Sequence, residues 1–157
     1  MEIHQVDVST AFLNGSLEEM NVTQPEGFEQ HGKENLVCKF KKRLYGLKQA
    51  PRSWNQKIHK TLIEANFQQL QSDHCLYFKE EKDYTVYLAL HVDDIIIATK
   101  DMKNLKIIKD WLMKQYKMTD GGEIHYILGI EITRDRKRKT IYLSQRKYLQ
   151  EVFENMK

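Results

Sequence analysis

Two adjacent carboxylates, Asp93 and Asp94, stand inside an apolar run that extends over residues 87–98. Apolar runs of this length read as buried strands. An unpaired buried carboxylate is costly, and two neighbouring ones also repel each other. A divalent metal offsets both costs, because hard cations such as Mg²⁺ take carboxylate oxygens as ligands. An Asp-Asp pair equally suits a solvated hairpin turn. Taken alone, the pair leaves both readings open.

The surrounding elements narrow the choice. A strand is expected over residues 3–8, followed by a turn at Asn14-Gly15-Ser16. Short strands and loops follow to about residue 44, the best of them over 36–40, with Gln24-Pro25-Glu26-Gly27 and His31-Gly32 as punctuation. Pro51 opens a helix. Its stripe of Trp54, Ile58 and Leu62, continued by Ala65, reads as core packing. A short strand is expected over 75–78, then strands over 84–91 and 95–99 joined by a tight turn at Val92-Asp93-Asp94. Asp101 caps a second helix that carries Leu105, Ile108, Leu112 and Tyr116 at helical spacing. Gly121-Gly122 ends that region. A strand over 125–133, a charged turn over 134–139 and a return strand over 140–143 follow. Ser144 caps a last helix with Tyr148, Leu149, Val152 and Phe153.

The resulting order, β-α-β-β-α-β, is an α+β split pattern with an antiparallel, ferredoxin-like sheet. In it strands one and two run parallel with strand three between them. The end of strand one then shares a sheet edge with the turn between strands two and three. Topology therefore brings Asp7 to Asp93 and Asp94. Three carboxylates at one edge need counter-charge. Two Mg²⁺ ions roughly 3.5–4 Å apart supply it and also clamp the oxygens of an in-line phosphoryl displacement. The chemistry implied is nucleotidyl transfer or phosphodiester hydrolysis.

The 157 residues suffice for one domain with a real core. A net charge of +3 is compatible with a nucleic-acid partner without arguing for one. The two cysteines, Cys38 and Cys75, have no metal-ligand spacing and read as free thiols in a reducing compartment. No apolar run is long enough to span a membrane. A strand pattern at the first residues and a helical pattern at the last suggest a piece of a longer chain.

His91-Val92-Asp93-Asp94 resembles the Tyr-Val-Asp-Asp signature of reverse transcriptases. The stretch from Gln5-Val6-Asp7-Val8 to Asn14-Gly15, Gln24-Pro25-Glu26-Gly27-Phe28, and the stretch from Leu44-Tyr45-Gly46 to Arg52-Ser53-Trp54 resemble the copia-type retrotransposon version. Leu128-Gly129-Ile130-Glu131-Ile132 and Leu143-Ser144-Gln145-Arg146-Lys147-Tyr148 are similar to later segments of that family, so the resemblance covers essentially the whole chain.

The resemblance implies a polymerase palm over residues 1–133, with a partial fingers insertion around 14–50. Residues 134–157 would be the end of the primer-grip hairpin and the start of the thumb. It makes Asp7, Asp93 and Asp94 the catalytic metal ligands, with the Val8 carbonyl as a further ligand, and two Mg²⁺ ions (or Mn²⁺) the cofactors. Phe12 would lie under the sugar of the incoming nucleotide and disfavour a 2′-hydroxyl, and Tyr45 and Gly46 would line the nucleotide pocket. Lys48, Gln49, Arg52, His91, Leu128 and Gly129 would meet nucleic acid, Leu128-Gly129-Ile130 as the primer grip.

The implied partners are dNTP, an RNA or DNA template–primer, and the rest of a Gag-Pol-type polyprotein with integrase and RNase H. No membrane is implied, and the location is the cytoplasm, in a virus-like particle for an intact element. The sequence departs from the family at His91, where a tyrosine is usual, and in the stretch 17–24, which is one residue short. Most of the fingers segment is missing ahead of the first strand. Those departures suit a second reading, a catalytically inactive remnant that at most binds nucleic acid. A two-metal nuclease on an unrelated fold is a third. The basic, aromatic stretch 39–48 suits phosphate contacts and base stacking, and the charged run 134–139 suits either a solvated tip or a phosphate contact.

Overall fold

A computed structural model describes residues 1–14, 21–33, 35–39 and 49–156. Gly15 and Ser16 of the expected turn, residues 17–20 of the stretch 17–24 and residues 40–48 of the basic stretch 39–48 lie outside the described residues.

The strands are β1 (Glu2–Val8), β2 (Asn21–Thr23), β3 (Val37–Lys39), β4 (Gln68–Gln69), β5 (Leu76–Glu80), β6 (Thr85–His91), β7 (Asp94–Thr99), β8 (Met118–Glu123), β9 (Tyr126–Ile127), β10 (Ile130–Asp135) and β11 (Thr140–Ser144). The helices are α1 (Ala50–Glu64), α2 (Met102–Gln115) and α3 (Arg146–Asn155). This is a mixed α+β architecture in which every described strand pairing is antiparallel. The main sheet has the order β4-β5-β6-β7-β1-β8. β9, β10 and β11 form a second sheet, and β2 with β3 a third.

Side-chain alternation divides the main sheet into two faces. Val6 and Val8 of β1, Val86 and Leu88 of β6, and Ile95 and Ile97 of β7 are almost fully buried. They pack beneath Trp54, Ile58 and Leu62 of α1 and Leu105, Ile108 and Leu112 of α2. Each such side chain contributes roughly 1.5–3 kcal/mol, so the helix-covered face carries the stability. Gln5, Asp7, Asp94 and Ile96 alternate onto the opposite, open face.

Both long helices form where periodicity predicts them. Pro51 lies in the first turn of α1, where its missing N–H costs nothing. Asp101 caps α2, accepting from the Asn104 N–H at 3.0 Å. Lys109 of α2 is buried with its ammonium on Asp120 of β8 and 2.8 Å from His4 Nδ1 of β1, which ties the helix to the sheet beneath it. No described helix is long and apolar enough to cross a membrane.

Three local expectations are corrected. The strand expected over 125–133 is two strands, β9 and β10, joined at Leu128-Gly129, where both residues have positive φ (52° and 78°). Two positive φ values make a two-residue hairpin turn that alternation cannot reveal. The edge beside β1 is instead taken by β8, which contains Gly121-Gly122 rather than stopping there. The ladder shifts register between Gln5 and Val6, and Gly121 is the skipped residue. A Cβ on Gly121 would stand 3.1 Å from the Gln5 carbonyl oxygen, so glycine marks a bulge here and not a break. Finally, Gln145 and not Ser144 occupies the N-cap position of α3, while Ser144 Oγ accepts from the Arg146 N–H at 3.2 Å.

Asp101→Ala should lower stability by about 1 kcal/mol, the usual worth of a carboxylate N-cap. Urea unfolding followed by circular dichroism measures it, with an unchanged denaturant slope.

Candidate active site

β6 and β7 are adjacent antiparallel strands joined by the two-residue turn Val92-Asp93, with His91 paired to Asp94. β7 in turn pairs with β1, and the register sets Asp7 directly opposite Asp94. The Val8 N–H, just beyond Asp7, donates to the Asp93 carbonyl at 2.8 Å. The end of β1 and the β6–β7 turn therefore meet at one sheet edge, as strand order predicts, and all three aspartates gather there.

Their electrostatics follow from that geometry. The pKa of Asp7 is pushed above the ordinary aspartate value. Crowding by the neighbouring strands, which strips part of its water, is the first cause; the charges of Asp93 and then Asp94 push the same way. Asp7 nonetheless keeps an exposed side chain, so the effect is screened by solvent. Asp94 is half-buried and turned toward β1, where its Oδ1 accepts from Gln5 Nε2 at 2.6 Å. Gln5 lies two residues before Asp7 on the same face. Pattern reading missed it, because a polar residue alternating out of a strand carries no special signal.

The donor set consists of hard carboxylate oxygens and suits a hard divalent cation. Among the described residues, no group of three or more His, Cys, Asp or Glu side chains is drawn close enough to hold one.

The turn itself is unusual. Val92 has φ +57°, the left-handed region that a two-residue turn normally reserves for Gly, Asn or Asp. For a β-branched residue this costs of order 1–3 kcal/mol. The Val92 carbonyl accepts from Trp54 Nε1 of α1 at 2.5 Å. Trp54, expected only to pack, is thus also bonded to the turn. Spacing could not reveal this, since its N–H reaches a residue 38 positions away.

Around the turn, a cavity of about 420 Å³ opens between the start of α1 and the end of β6. Phe12, Arg52, His91 and Val92 line it together. Phe12 is buried in a 3₁₀ turn, Ala11–Asn14, whereas Arg52 and His91 are exposed. Val8 is buried on the core face. Gln49 is exposed at the N-cap position of α1 and makes no side-chain cap bond. Tyr45, Gly46 and Lys48 lie outside the described residues. Leu128 and Gly129 form the β9–β10 turn, in the second sheet rather than the main one.

That second sheet is fastened to the first by charge. Arg136 forms a two-pronged pair with Glu2 at 2.7 and 2.6 Å and reaches Glu123 at 2.9 Å. Arg134 bonds the Met1 carbonyl and lies 3.6 Å from Glu123. The Arg136 guanidinium holds the Glu2 carboxyl below the usual range. Arg138 lies 3.7 Å from Asp135, so three of the cations in the 134–139 run are engaged within the chain.

A sequence model of the family described as reverse transcriptase (RNA-dependent DNA polymerase) matches residues 1–157. The chain belongs to the reverse transcriptase family. It is 44% identical over 161 aligned residues to the retrovirus-related Pol polyprotein from transposon TNT 1-94 of Nicotiana tabacum, covering 100% of this chain and 12% of the relative. The Pol polyprotein from transposon RE1 of Arabidopsis thaliana is 39% identical, over 94% of this chain and 10% of the relative. A transposon Ty5-1 protein of Saccharomyces cerevisiae is 38% identical, over 81% and 42% respectively. This reverse transcriptase segment thus spans about a tenth of the plant polyproteins it matches. No solved structure matches it.

A raised Asp7 pKa means that the folded segment binds that proton more tightly than the unfolded chain. Stability therefore falls as pH rises from the unfolded value, 3.8, through the raised one. Asp7→Asn should melt higher than wild type at pH 7, by at most about 4 °C, the shift that 1 kcal/mol gives in a chain of this size. The gap should close as pH falls to the unfolded value. Melting curves across that range check both the sign and the window.

Proposed function

We propose that this chain is the palm of a copia-type RNA-directed DNA polymerase, which adds deoxynucleotides to a primer 3′-hydroxyl on an RNA or DNA template. The observation that carries the reading is the β1–β7 register, which sets Asp7 against Asp94 beside the Asp93 turn in a chain of reverse transcriptase sequence. The strand order β8-β1-β7-β6, with α1 and α2 packed on one face, supports the split β-α-β-β-α-β, ferredoxin-like arrangement for the palm. On this reading residues 1–133 are the palm with a fingers insertion around 14–50, and 134–157 end the primer-grip hairpin and begin the thumb.

Asp7, Asp93, Asp94 and the Val8 carbonyl are the groups that would hold two Mg²⁺ ions. When bound, such ions supply an activated hydroxyl and neutralise the triphosphate. The chain's own residues do the rest. Gln5 orients Asp94 from the adjoining strand. Partial burial first, and then the negative charges of Asp93 and Asp94, raise the Asp7 pKa, and those charges favour any cation that enters. Phe12 presents a buried ring beside the nucleotide sugar and discriminates against a 2′-hydroxyl, and the family resemblance assigns Tyr45 and Gly46 to nucleotide binding. Gln49, Arg52 and His91 contact template or primer near α1, the family resemblance assigns Lys48 to nucleic-acid binding, and Leu128-Gly129 grips the primer. The partners are dNTP, template–primer and the remaining parts of a Gag-Pol-type polyprotein, including integrase and RNase H, in cytoplasmic particles.

Primer extension on an RNA template, using the complete polypeptide that carries these residues, tests the assignment. Asp93→Asn should lower synthesis at least about a hundredfold, the scale on which losing a single preorganised electrostatic group costs an enzyme. Equal synthesis by variant and wild type would sink it. In the same assay, Phe12→Ala should raise ribonucleotide incorporation relative to deoxynucleotide by about ten- to a hundredfold. Unchanged discrimination would remove Phe12 from the sugar site.

A further inference from the structure

The β6–β7 turn is gripped by its two carbonyls. The Asp93 carbonyl accepts from the Val8 N–H at 2.8 Å. The Val92 carbonyl accepts from the Trp54 indole N–H at 2.5 Å. Both donors lie on elements packed into the core. Val8 is at the end of a central strand. Trp54 is 3% exposed in α1, with its ring edge-on to Tyr116 at 5.2 Å and 82°. The Tyr116 hydroxyl returns to α1 through Thr61 Oγ1 at 2.5 Å. Helix, ring pair and turn therefore form one connected unit.

A core position does not by itself call for tryptophan. Phenylalanine or leucine fills such a space without a polar atom to satisfy. A buried indole N–H must find an acceptor, and here the acceptor is the carbonyl of the one turn residue in left-handed backbone conformation. Rotation of the Val92 peptide toward ordinary φ would swing that carbonyl away from the indole. The bond therefore opposes relaxation of the turn, and the next residue along the chain is Asp93.

We propose that Trp54 is a positioning residue for catalysis: its indole N–H keeps Val92 left-handed and thereby fixes where Asp93 points. The proposal rests on the polymerase reading of Asp93, and on no contact between Trp54 and substrate.

The complete polypeptide is used. Trp54→Phe keeps a ring against Tyr116 and removes only the donor. Turnover should fall about ten- to a hundredfold, the cost of a small misplacement of a reacting group. KM for dNTP and for primer should stay near wild type. Val92→Gly supplies a residue that accepts positive φ freely, so in that background the loss caused by Trp54→Phe should shrink to less than half. An equal loss in both backgrounds, no loss at all, or a change confined to KM overturns the proposal.

A second measurement needs no substitution at Trp54. Trp111→Phe leaves Trp54 as the only tryptophan of this segment, and selective labelling at position 54 isolates its indole proton in the complete chain. That proton should exchange slowly with solvent, and no faster in Val92→Gly, where the strain that pulls against the bond is removed. Rapid exchange in the presence of Val92 overturns the proposal. If Asp93→Asn keeps full activity while the indole proton is protected, the polymerase reading fails and the grip on the turn stands.

Discussion

The register between β1 and β7 governs everything else at this site. It sets Asp7 opposite Asp94, and like charges directly across a ladder are destabilising. In water their repulsion at contact distance is only about 1 kcal/mol, and it rises several-fold where the surroundings are drier. The same two strands turn Val6, Val8, Ile95 and Ile97 to the other face, each at most 1% exposed. Burial of each is worth roughly 1.5–3 kcal/mol, so the core outweighs the repulsion. A strand with period-two alternation can thus be stable on one side and electrostatically strained on the other. Slipping the register by one residue would exchange the faces and abolish both the core and the site.

The flanking elements protect that register. Lys109 neutralises Asp120 under α2 and keeps β8 against β1. Arg136 and Arg134 bind Glu2 and Glu123, at the end of β1 away from Asp7. These pairs are more exposed than Lys109, and exposed pairs contribute little each. Their value is geometric, since they couple the β9–β11 sheet to the strand that carries Asp7. By contrast, α3 buries none of its described residues. Its Tyr148, Leu149 and Phe153 remain about half exposed or more, which is why the last helix contributes little to the site.

The long elements were legible because their periodicity is unambiguous. The stripe from Trp54 to Leu62, the stripe from Leu105 to Leu112 and the alternation in residues 85–99 each admit one burial pattern. From these, strand order followed, and with it the meeting of Asp7 with Asp93 and Asp94. What was not legible depends on single backbone angles or on side chains that act across the fold. Leu128 at φ +52° turns the chain where a leucine predicts continuation. Gly121 sits in a bulge where two glycines predict a stop. Gln5 and Trp54 look like ordinary outward and inward residues, and their partners, Asp94 and the Val92 carbonyl, are far along the chain. Local pattern has no access to such bonds.

The irregularities are not scattered at random over β1. Its ladder with β7 runs through six consecutive pairs from Glu2–Thr99 to Asp7–Asp94 without a shift. Its ladder with β8 breaks between Gln5 and Val6. A bulge bends a strand and increases its local twist, so β1 can curve on the β8 side while the pairing that aligns the carboxylates stays regular. Strain is then concentrated at the Val92-Asp93 turn, where the Val8 and Trp54 donors oppose it from two directions. Neither donor belongs to the turn. A hairpin closed by glycine would reach the same shape without them, but it would also leave that shape easily. A β-branched residue forced into the left-handed region has few alternatives of similar energy once both carbonyls are bonded. The turn gives up some stability and gains a single orientation for the carboxylate at its tip.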